Sequence, residues 1–318
     1  MSTNKATKPE YAFFDGKIVP IGEAKVSVIT QTLHYGTGVF GGMRAYWNSD
    51  EHQLFIYRAA DHFERFRQSA GIMRINVPYS ERELTDILIE LIRVEDYHED
   101  VYIRPLAYKA GETIAVGLTD IADGLTIFVQ PTQGYVKDVK GYHVGFSAWR
   151  RVEDNAIPAR GKVIGAYANS ALIKTDASLA GYDDALVLNE DGHVAEASSA
   201  NVFIVRKGVA ITPSITSNTL EGIVRRSLIE LLRTELGVEV VERPIDRTEC
   251  YLAEEIFLCG TGAQVTPVTK IDHRTVGTGE MGAITHQLRE LFFKVVTGNA
   301  PRYRDWLTPV YVPERIGK

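Results

Sequence analysis

The sequence predicts two α/β domains whose sheets are antiparallel or mixed. Three observations support this prediction: the chain has 318 residues, hairpin signals occur in both halves, and helical periodicities separate the strand-like runs. A chain of this length is too long for one small core and fits two domains of ordinary size. Hydrophobic residues make up 45% of the sequence and charged residues 24%, as is typical of a soluble globular protein.

Antiparallel pairing is predicted by three turn signals between apolar runs. Asp15-Gly16 and Asp191-Gly192 are strong signals, because a tight hairpin turn requires positive φ at its centre and Asp-Gly adopts it readily. Lys207-Gly208 is a weaker signal of the same kind. We therefore expect hairpins in both halves of the chain.

Five helices are predicted from hydrophobic periodicity and capping signals. Ser80 and Glu83 have the spacing of a capping box, which marks the start of the second helix. The helices are expected near residues 63–73, 81–92, 169–181, 222–237 and 284–298.

The domain boundary is expected at residues 131–141, PTQGYVKDVKG, a polar and Gly-containing segment between two strand-like runs. Residues 1–130 would then form a small N-terminal α/β domain, and residues 142–318 a larger second domain.

Charge and cysteine content narrow the classes of function. The net charge of −6 argues against a nucleic-acid or anionic-membrane partner. Cys250 and Cys259 are too few for a metal cluster or a disulfide framework, and they are expected to be reduced core thiols. No apolar run reaches membrane-spanning length, and the polar N-terminus does not resemble a secretory signal. These features predict a cytoplasmic protein without a bound metal.

Gly36, Gly38 and Gly41 spell G-x-G-x-x-G, the pattern of a dinucleotide-binding turn. That pattern functions only where a strand precedes it and a helix follows. The residues that follow here, MRAYWNSDE, are typical of a strand and a turn. We therefore do not expect a dinucleotide site.

Six segments, taken together and in order, resemble the branched-chain amino-acid aminotransferases, which are pyridoxal 5′-phosphate (PLP) enzymes of the D-amino-acid-transaminase-like fold class. The segments are HYGTGVFGGMRAY (34–46), YIRP (102–105), ARGKVIGAY (159–167), EASSANVF (196–203), LEGIVRRS (220–227) and CGTGAQVTPV (259–268). The similarity extends from about residue 10 to residue 298.

The resemblance implies an activity and an assembly. The expected reaction transfers an amino group from L-leucine, L-isoleucine or L-valine to 2-oxoglutarate. The expected assembly is a homodimer or an oligomer of dimers, in which the partner's loop near Gly117-Leu118 completes the pocket.

The resemblance also implies residues that hold the cofactor. Lys162 matches the lysine that forms the Schiff base with PLP, although the residues alone leave Lys174 open as a competitor. Glu196 matches the carboxylate that pairs with the pyridine nitrogen and strengthens PLP as an electron sink. Tyr167 matches the tyrosine that hydrogen-bonds the phenolic oxygen of the cofactor. A solvated lysine or glutamate and a packed tyrosine are the alternative interpretations.

For the phosphate of PLP, the resemblance implies a helix N-terminus, an arginine and a hydroxyl. The corresponding residues are Gly222, Ile223 and Val224 at the start of the fourth helix, with Arg65 and Thr261. Val224 stands where many relatives have threonine, so one side-chain donor is lost while the backbone N–H remains.

For the substrate, the resemblance implies an α-carboxylate site, a site for the γ-carboxylate of glutamate and an apolar wall. The first comprises Tyr102, Gly262 and Ala263, the second Arg104, Tyr35 and Tyr135, and the third Phe40. Core packing is the alternative for the aromatic residues.

Two departures from the family bear on specificity. Gly41 replaces the glutamate of the FEG-I-R pattern, and Thr132 replaces a tryptophan. Because both changes remove side-chain volume, we expect room for larger amino donors.

Three other functions remain compatible with the sequence. A D-amino-acid or (R)-amine transaminase and a lyase of the aminodeoxychorismate type have the same fold and cofactor. A non-catalytic phosphate-ligand-binding protein would lack the yellow colour of bound PLP.

Overall fold

The computed structural model of the chain describes residues 8–132 and 139–311. Contacts between Cα atoms divide the chain into two compact units, Met1–Val136 with Lys294–Lys318, and Lys137–Phe293. The sequence-based boundary had grouped the residues from 294 onward with the second domain. They belong to the first unit because a strand at Leu307–Pro309 pairs with a strand at Gln53–Tyr57.

The first unit is built on an eight-stranded sheet, and its described strand pairs are antiparallel. Its strands are β1 (Tyr11–Phe14), β2 (Lys17–Pro20), β3 (Gly38–Phe40), β4 (Met43–Asn48), β5 (Gln53–Tyr57), β6 (Val101–Lys109), β7 (Asp123–Pro131) and β17 (Leu307–Pro309). Their order is β17-β5-β4-β6-β7-β1-β2, and β3 also pairs with β6.

Three α-helices belong to the first unit: α1 (Gln31–Tyr35), α2 (Ala59–Ile72) and α3 (Glu81–Glu95). The predicted capping box at the start of α3 is confirmed, since Ser80 Oγ accepts from Glu83 N at 3.2 Å and Glu83 Oε2 accepts from Ser80 N at 2.8 Å. The apolar face of α3 is fully buried at Leu84, Leu88, Leu91 and Ile92. A 3-10 helix at Pro301–Trp306 precedes β17.

The second unit is built on a nine-stranded mixed sheet. Its strands are β8 (Tyr142–Arg150), β9 (Asp184–Leu188), β10 (Val194–Ala197), β11 (Asn201–Arg206), β12 (Val209–Thr212), β13 (Val240–Glu242), β14 (Glu255–Gly260), β15 (Gln264–Ile271) and β16 (Arg274–Thr275). The order is β10-β9-β8-β15-β14-β11-β12-β13, and β16 pairs with β15. The pairs β8–β9, β8–β15 and β12–β13 are parallel. The predicted combination of antiparallel and mixed sheets is confirmed.

The helices that follow β8 are α4 (Tyr167–Leu179), α5 (Ile223–Thr234), α6 (Arg247–Cys250) and α7 (Ala283–Val296), with a 3-10 turn at Ile164–Ala166 before α4. The unit boundary falls within α7.

Both cysteines are buried, as predicted for core thiols, and burial raises the pKa of each thiol to about 12. Across residues 8–132 and 139–311, no helix combines the length and apolarity needed to cross a membrane.

All three turn signals lie between antiparallel strands, but tight two-residue turns form only at Asp15-Gly16 and at the weaker Lys207-Gly208 signal. Asp15 and Gly16 connect β1 to β2 with φ of 49° and 84°, as a primed two-residue turn requires. Lys207 and Gly208 do the same between β11 and β12, with φ of 50° and 75°. The Asp191-Gly192 signal lies in a longer connection between β9 and β10. The G-x-G-x-x-G segment is followed by β4, which confirms the predicted strand where a dinucleotide-binding turn requires a helix.

Candidate active site

Lys162 and Tyr167 form the first part of the candidate site. Lys162 lies two residues before the 3-10 turn that leads into α4, and Tyr167 is the first residue of α4. Lys162 Nζ donates a hydrogen bond to Tyr167 Oη at 2.5 Å and lies 5.1 Å from the centre of the tyrosine ring. Both side chains are partly buried. The tyrosine therefore limits the positions that the lysine nitrogen can take.

Glu196 forms the second part. It lies on β10 and is only 3% exposed. One of its carboxylate oxygens forms a salt bridge with Arg151, and the other accepts from Asn201 Nδ2 at 3.0 Å and from Leu220 N at 3.4 Å. A buried carboxylate requires such partners. Because the donors come from three separate segments, they hold the carboxylate in one orientation.

One cavity connects these two parts. Its lining includes Lys162, Tyr167, Glu196, Arg151, Asn169, Ser170, Asn218 and Leu220. An amine, a phenol and a buried carboxylate therefore face one space, although 34 residues separate Lys162 from Glu196 in the sequence.

The segment that leads into α5 borders this cavity, since Leu220 is one of the lining residues. Gly222 is the N-cap residue, with φ of −69° and ψ of 127°, and Ile223 and Val224 open the first helical turn. The first amides of a helix have no acceptor within it, and this end of the helix is electropositive. Leu220, two residues earlier, donates its N–H to Glu196. The helix N-terminus and the carboxylate are thus directly linked.

The turn between β14 and β15 consists of Thr261, Gly262 and Ala263, since Gly260 pairs with Gln264. Gly262 is exposed, whereas Ala263 and Thr261 are partly buried. Gly260 passes close to the loop that follows β10, because a Cβ on it would lie 3.8 Å from Ala200 Cα. The end of β14 that leads into this turn therefore lies beside the loop between β10 and β11.

In the first unit, the structure brings together three of the predicted substrate residues. Tyr102 and Arg104 lie on one face of β6, because they are two residues apart on a strand. Arg104 Nη2 donates to Tyr102 Oη at 2.8 Å, and Arg104 Cζ lies 4.4 Å from the centre of the Phe40 ring. A guanidinium at that distance makes a cation–π contact.

The remaining predicted residues lie elsewhere or outside the described part. Arg65 is partly buried in the middle of α2. Tyr35 ends α1, and its Oη donates to Ile114 O at 2.6 Å. Tyr135 lies outside the described residues.

The extra room expected at Gly41 is not present. A Cβ on Gly41 would lie 2.6 Å from Pro105 Cγ, so the proline ring already occupies that position. Gly41 N also donates to Pro105 O at 2.8 Å, which keeps the two segments in contact. The expectation of vacant volume at this position is wrong. Thr132 accepts a hydrogen bond from Arg44 Nη2 at 3.3 Å.

Sequence reasoning missed two residues that surround Glu196. Arg151 and Asn201 both contact its carboxylate, and Arg151 Nη1 also donates to Ser170 Oγ at 3.2 Å. Asn201 lies within EASSANVF, one of the segments that resemble the family, but the resemblance implies no role for this residue. Arg151 lies 45 residues from Glu196, and no local pattern could have joined them.

Residues 38–271 match the family described as amino-transferase class IV. Because the match covers more than half of the chain, the protein belongs to the class IV aminotransferases, whose cofactor is PLP.

The relatives point to one branch of this class. A probable branched-chain-amino-acid aminotransferase of Aquifex aeolicus is 49% identical over 307 residues, which cover 96% of this chain and 99% of the relative. The PLP form of a branched-chain amino acid aminotransferase from Thermobaculum terrenum is 42% identical, with a TM-score of 0.92 and coverage of 96% and 99%. The branched-chain aminotransferase from the thermophilic archaeon Thermoproteus uzoniensis, in its structure with norvaline, is 39% identical, with a TM-score of 0.91 and coverage of 96% and 100%.

Proposed function

We propose that the chain transfers the amino group of L-leucine, L-isoleucine or L-valine to 2-oxoglutarate, giving branched-chain 2-oxo acids and L-glutamate. The observation that carries the proposal is the cavity in which Lys162, Tyr167 and the buried Glu196 meet. The relatives named branched-chain aminotransferases support the choice of substrate.

The residues around this cavity fit PLP. A buried carboxylate suits a protonated pyridine nitrogen, and a partly buried lysine suits an aldehyde carbon. The N-terminus of α5 suits a phosphate, because its free amides and its dipole both favour an anion. Glu196 is linked to that helix end through Leu220, so the two subsites belong to one structural unit.

The chemistry divides between the cofactor and the protein. When bound, PLP supplies an electron sink that allows the substrate α-carbon to lose its proton. Lys162 Nζ would hold the cofactor in the resting enzyme and would move that proton during turnover. Tyr167 Oη orients Lys162 Nζ through their hydrogen bond. Glu196 presents its fixed carboxylate to the pyridine nitrogen.

Phosphate binding is assigned to the amides of Gly222, Ile223 and Val224, to the Thr261 hydroxyl and to the Arg65 guanidinium. A bound phosphate would complete the open hydrogen bonds of the first turn of α5. The side chain of Val224 is buried and apolar, so only its N–H can contribute.

Substrate binding is assigned to Tyr102 with the amides of Gly262 and Ala263 for the α-carboxylate, and to Arg104, Tyr35 and Tyr135 for the γ-carboxylate. Phe40 supplies the apolar wall. Arg104 is held by an aromatic ring and a neutral hydroxyl, which leaves its charge suited to a carboxylate ligand.

The chain is also proposed to act as a homodimer or as an oligomer of dimers. Val28, Leu33, Ile114 and Val116 are between 60% and 83% exposed. Gln31 Nε2 donates to the carbonyl oxygens of residues 115 and 117 and joins the two segments into one apolar patch. Exposed patches of this kind typically mark protein interfaces. Light scattering should give a dimer mass or a multiple of it, and a monomer at high concentration would contradict the proposal.

A cytoplasmic location is proposed as well, since the two cysteines are free buried thiols. Cell fractionation checks it, and recovery in a membrane or secreted fraction would contradict it.

A panel of amino donors tests the activity. The purified chain is expected to be yellow with PLP and to use L-leucine, L-isoleucine and L-valine fastest with 2-oxoglutarate. D-Alanine and (R)-1-phenylethylamine serve as contrasting donors. Faster turnover of either would assign the chain to a different transaminase activity, and a colourless protein that does not take up PLP would contradict the cofactor assignment.

A further inference from the structure

Asn201 lies where three segments of the candidate site meet. It is the first residue of β11, is 6% exposed, and pairs with Cys259 on β14. Its side-chain amide reaches both Glu196 on β10 and the segment that leads into α5.

The amide of Asn201 donates two hydrogen bonds. Its Nδ2 lies 3.0 Å from Glu196 Oε2 and 3.1 Å from Leu220 O. Both partners are acceptors, so the nitrogen and not the oxygen must face them. A hydroxyl or a protonated carboxyl has only one hydrogen and cannot satisfy both. Leu220 N donates to the same oxygen of Glu196 and closes a compact ring of three residues.

The other end of the amide lies against the start of α5. A Cβ on Gly222 would overlap Asn201 Oδ1, so the N-cap residue must be glycine for the asparagine to fit. The same side chain therefore contacts the carboxylate on one side and packs on the helix N-terminus on the other.

We propose that Asn201 is a positioning residue that fixes the carboxylate of Glu196 relative to the N-terminus of α5, so that the two ends of one PLP molecule are recognised together. This inference rests on the proposed function. Asn201 acts through Glu196 and Leu220.

The groups around Glu196 allow the proposal to be tested by the pH dependence of a variant that has a second carboxylate at position 201. Glu196 also pairs with the guanidinium of Arg151. Burial raises the pKa of the neighbouring Cys259 to about 12, so it remains a thiol. A second carboxylate placed at position 201 would therefore face Glu196 directly, and like charges at that distance disfavour joint ionisation.

The test compares Asn201→Asp with Asn189→Asp as a matched control. Asn189 is also buried, at 3% exposure, but its Oδ1 accepts from His193 N at 2.9 Å, and a carboxylate retains that role. PLP affinity and the unfolding temperature of the chain without PLP are measured between about pH 6 and pH 9, a range in which an exposed carboxylate does not titrate.

For Asn201→Asp we expect PLP affinity to be several-fold weaker than wild type near pH 6, because a protonated carboxyl keeps only one of the two hydrogen bonds, and to fall about a further tenfold towards pH 9. The new carboxyl takes up a proton more readily in the folded chain, so its stabilising form is present at low pH and is lost as pH rises. The unfolding temperature should decrease in the same direction. Asn189→Asp should follow the wild-type profile in both measurements.

The double variant Asn201→Asp with Glu196→Gln removes the pair of carboxylates, so the extra pH dependence should disappear. If Asn201→Asp follows the wild-type profile, or if the double variant keeps the pH-dependent loss, Asn201 does not act through Glu196. Should Asn201→Asp not fold, the neutral Asn201→Ser should weaken PLP binding at every pH, and unchanged affinity would overturn the inference. A wild-type chain that fails to bind PLP would instead contradict the proposed function.

Discussion

The buried charge in the cavity of the second unit has an oppositely charged partner, whereas the charge on the β6 face of the first unit contacts only uncharged groups in the described contacts. Glu196 is buried and bonded to Arg151, Asn201 and a backbone amide, so its charge is paired inside the protein. Arg104 lies over the Phe40 ring and bonds the neutral hydroxyl of Tyr102. A carboxylate held by several donors suits a cofactor that stays bound through the reaction cycle. A cation whose neighbours are neutral is suited to bind the carboxylate of a substrate that enters and leaves. Substitutions in the two regions should therefore have different kinetic signatures.

The largest effect is expected for Lys162→Ala, because no other assigned group both bonds the cofactor and moves the substrate proton. Transamination should fall below about a thousandth of the wild-type rate. Lys174→Ala is the matched control, since Lys174 is about half exposed and its Nζ bonds Asp183 O on the surface of the same unit. Rates and far-UV circular dichroism are measured for both variants. Full activity of Lys162→Ala, or loss in Lys174→Ala instead, would reverse the assignment.

Glu196→Gln should have the next largest effect. In the proposed role of Glu196, the variant loses the charge opposite the pyridine nitrogen, and kcat should fall on the order of 100-fold, the scale for losing one electrostatic partner of a developing charge. The NH2 of the new amide must also face a donor, either the Arg151 guanidinium or the N–H groups of Asn201 and Leu220, so unfolding should become easier by about 1–3 kcal/mol. Pre-steady-state kinetics and urea unfolding check the two effects. Wild-type kinetics would mean that Glu196 has only a structural role.

Local features of the fold could be predicted from the sequence, whereas contacts between distant segments could not. The β1–β2 hairpin and the capping box of α3 depend on residues within four positions of each other, so local patterns predicted them correctly. The pairing of β17 with β5 spans about 250 residues and has no local signal. Lys162 and Glu196 were named only because their segments resemble a family. Arg151 has no such segment and became visible only through its contact with Glu196.

Arg65→Ala should have an intermediate effect, and it should lower the affinity for PLP without changing the other steps of the reaction. Losing a charge-assisted hydrogen bond to a phosphate costs about 1.5–3 kcal/mol, or roughly ten- to a hundredfold in PLP affinity. Arg67→Ala on the same helix is the control, because Arg67 forms an exposed salt bridge with Glu81, and such pairs contribute little. Titration with PLP checks both variants. Equal affinities would place Arg65 outside the phosphate site.

The smallest effects should separate two adjacent glycines on the substrate side. A Cβ on Gly42 would lie 2.5 Å from Tyr102 Oη, the group that accepts from Arg104, and a side chain can move away. A Cβ on Gly41 would meet the ring of Pro105, which is part of β6 and cannot rotate aside. The first contact involves Tyr102, which is proposed to bind the substrate, and the second involves a residue of the sheet itself.

Gly42→Ala should therefore raise the KM for 2-oxoglutarate about fivefold, the equivalent of one hydrogen bond of about 1 kcal/mol, with little loss of stability. Gly41→Ala should lower the free energy of unfolding by about 1–3 kcal/mol through overpacking, with a smaller change in KM. Gly71→Ala is the control, because nothing lies within 4 Å of its Cβ position in α2, and alanine there should stabilise the helix by about 0.5–1 kcal/mol. Urea unfolding and steady-state kinetics distinguish the three variants. If Gly41→Ala changes the donor profile while stability is unchanged, Gly41 borders the substrate after all, and the contact with Pro105 is not what requires glycine there.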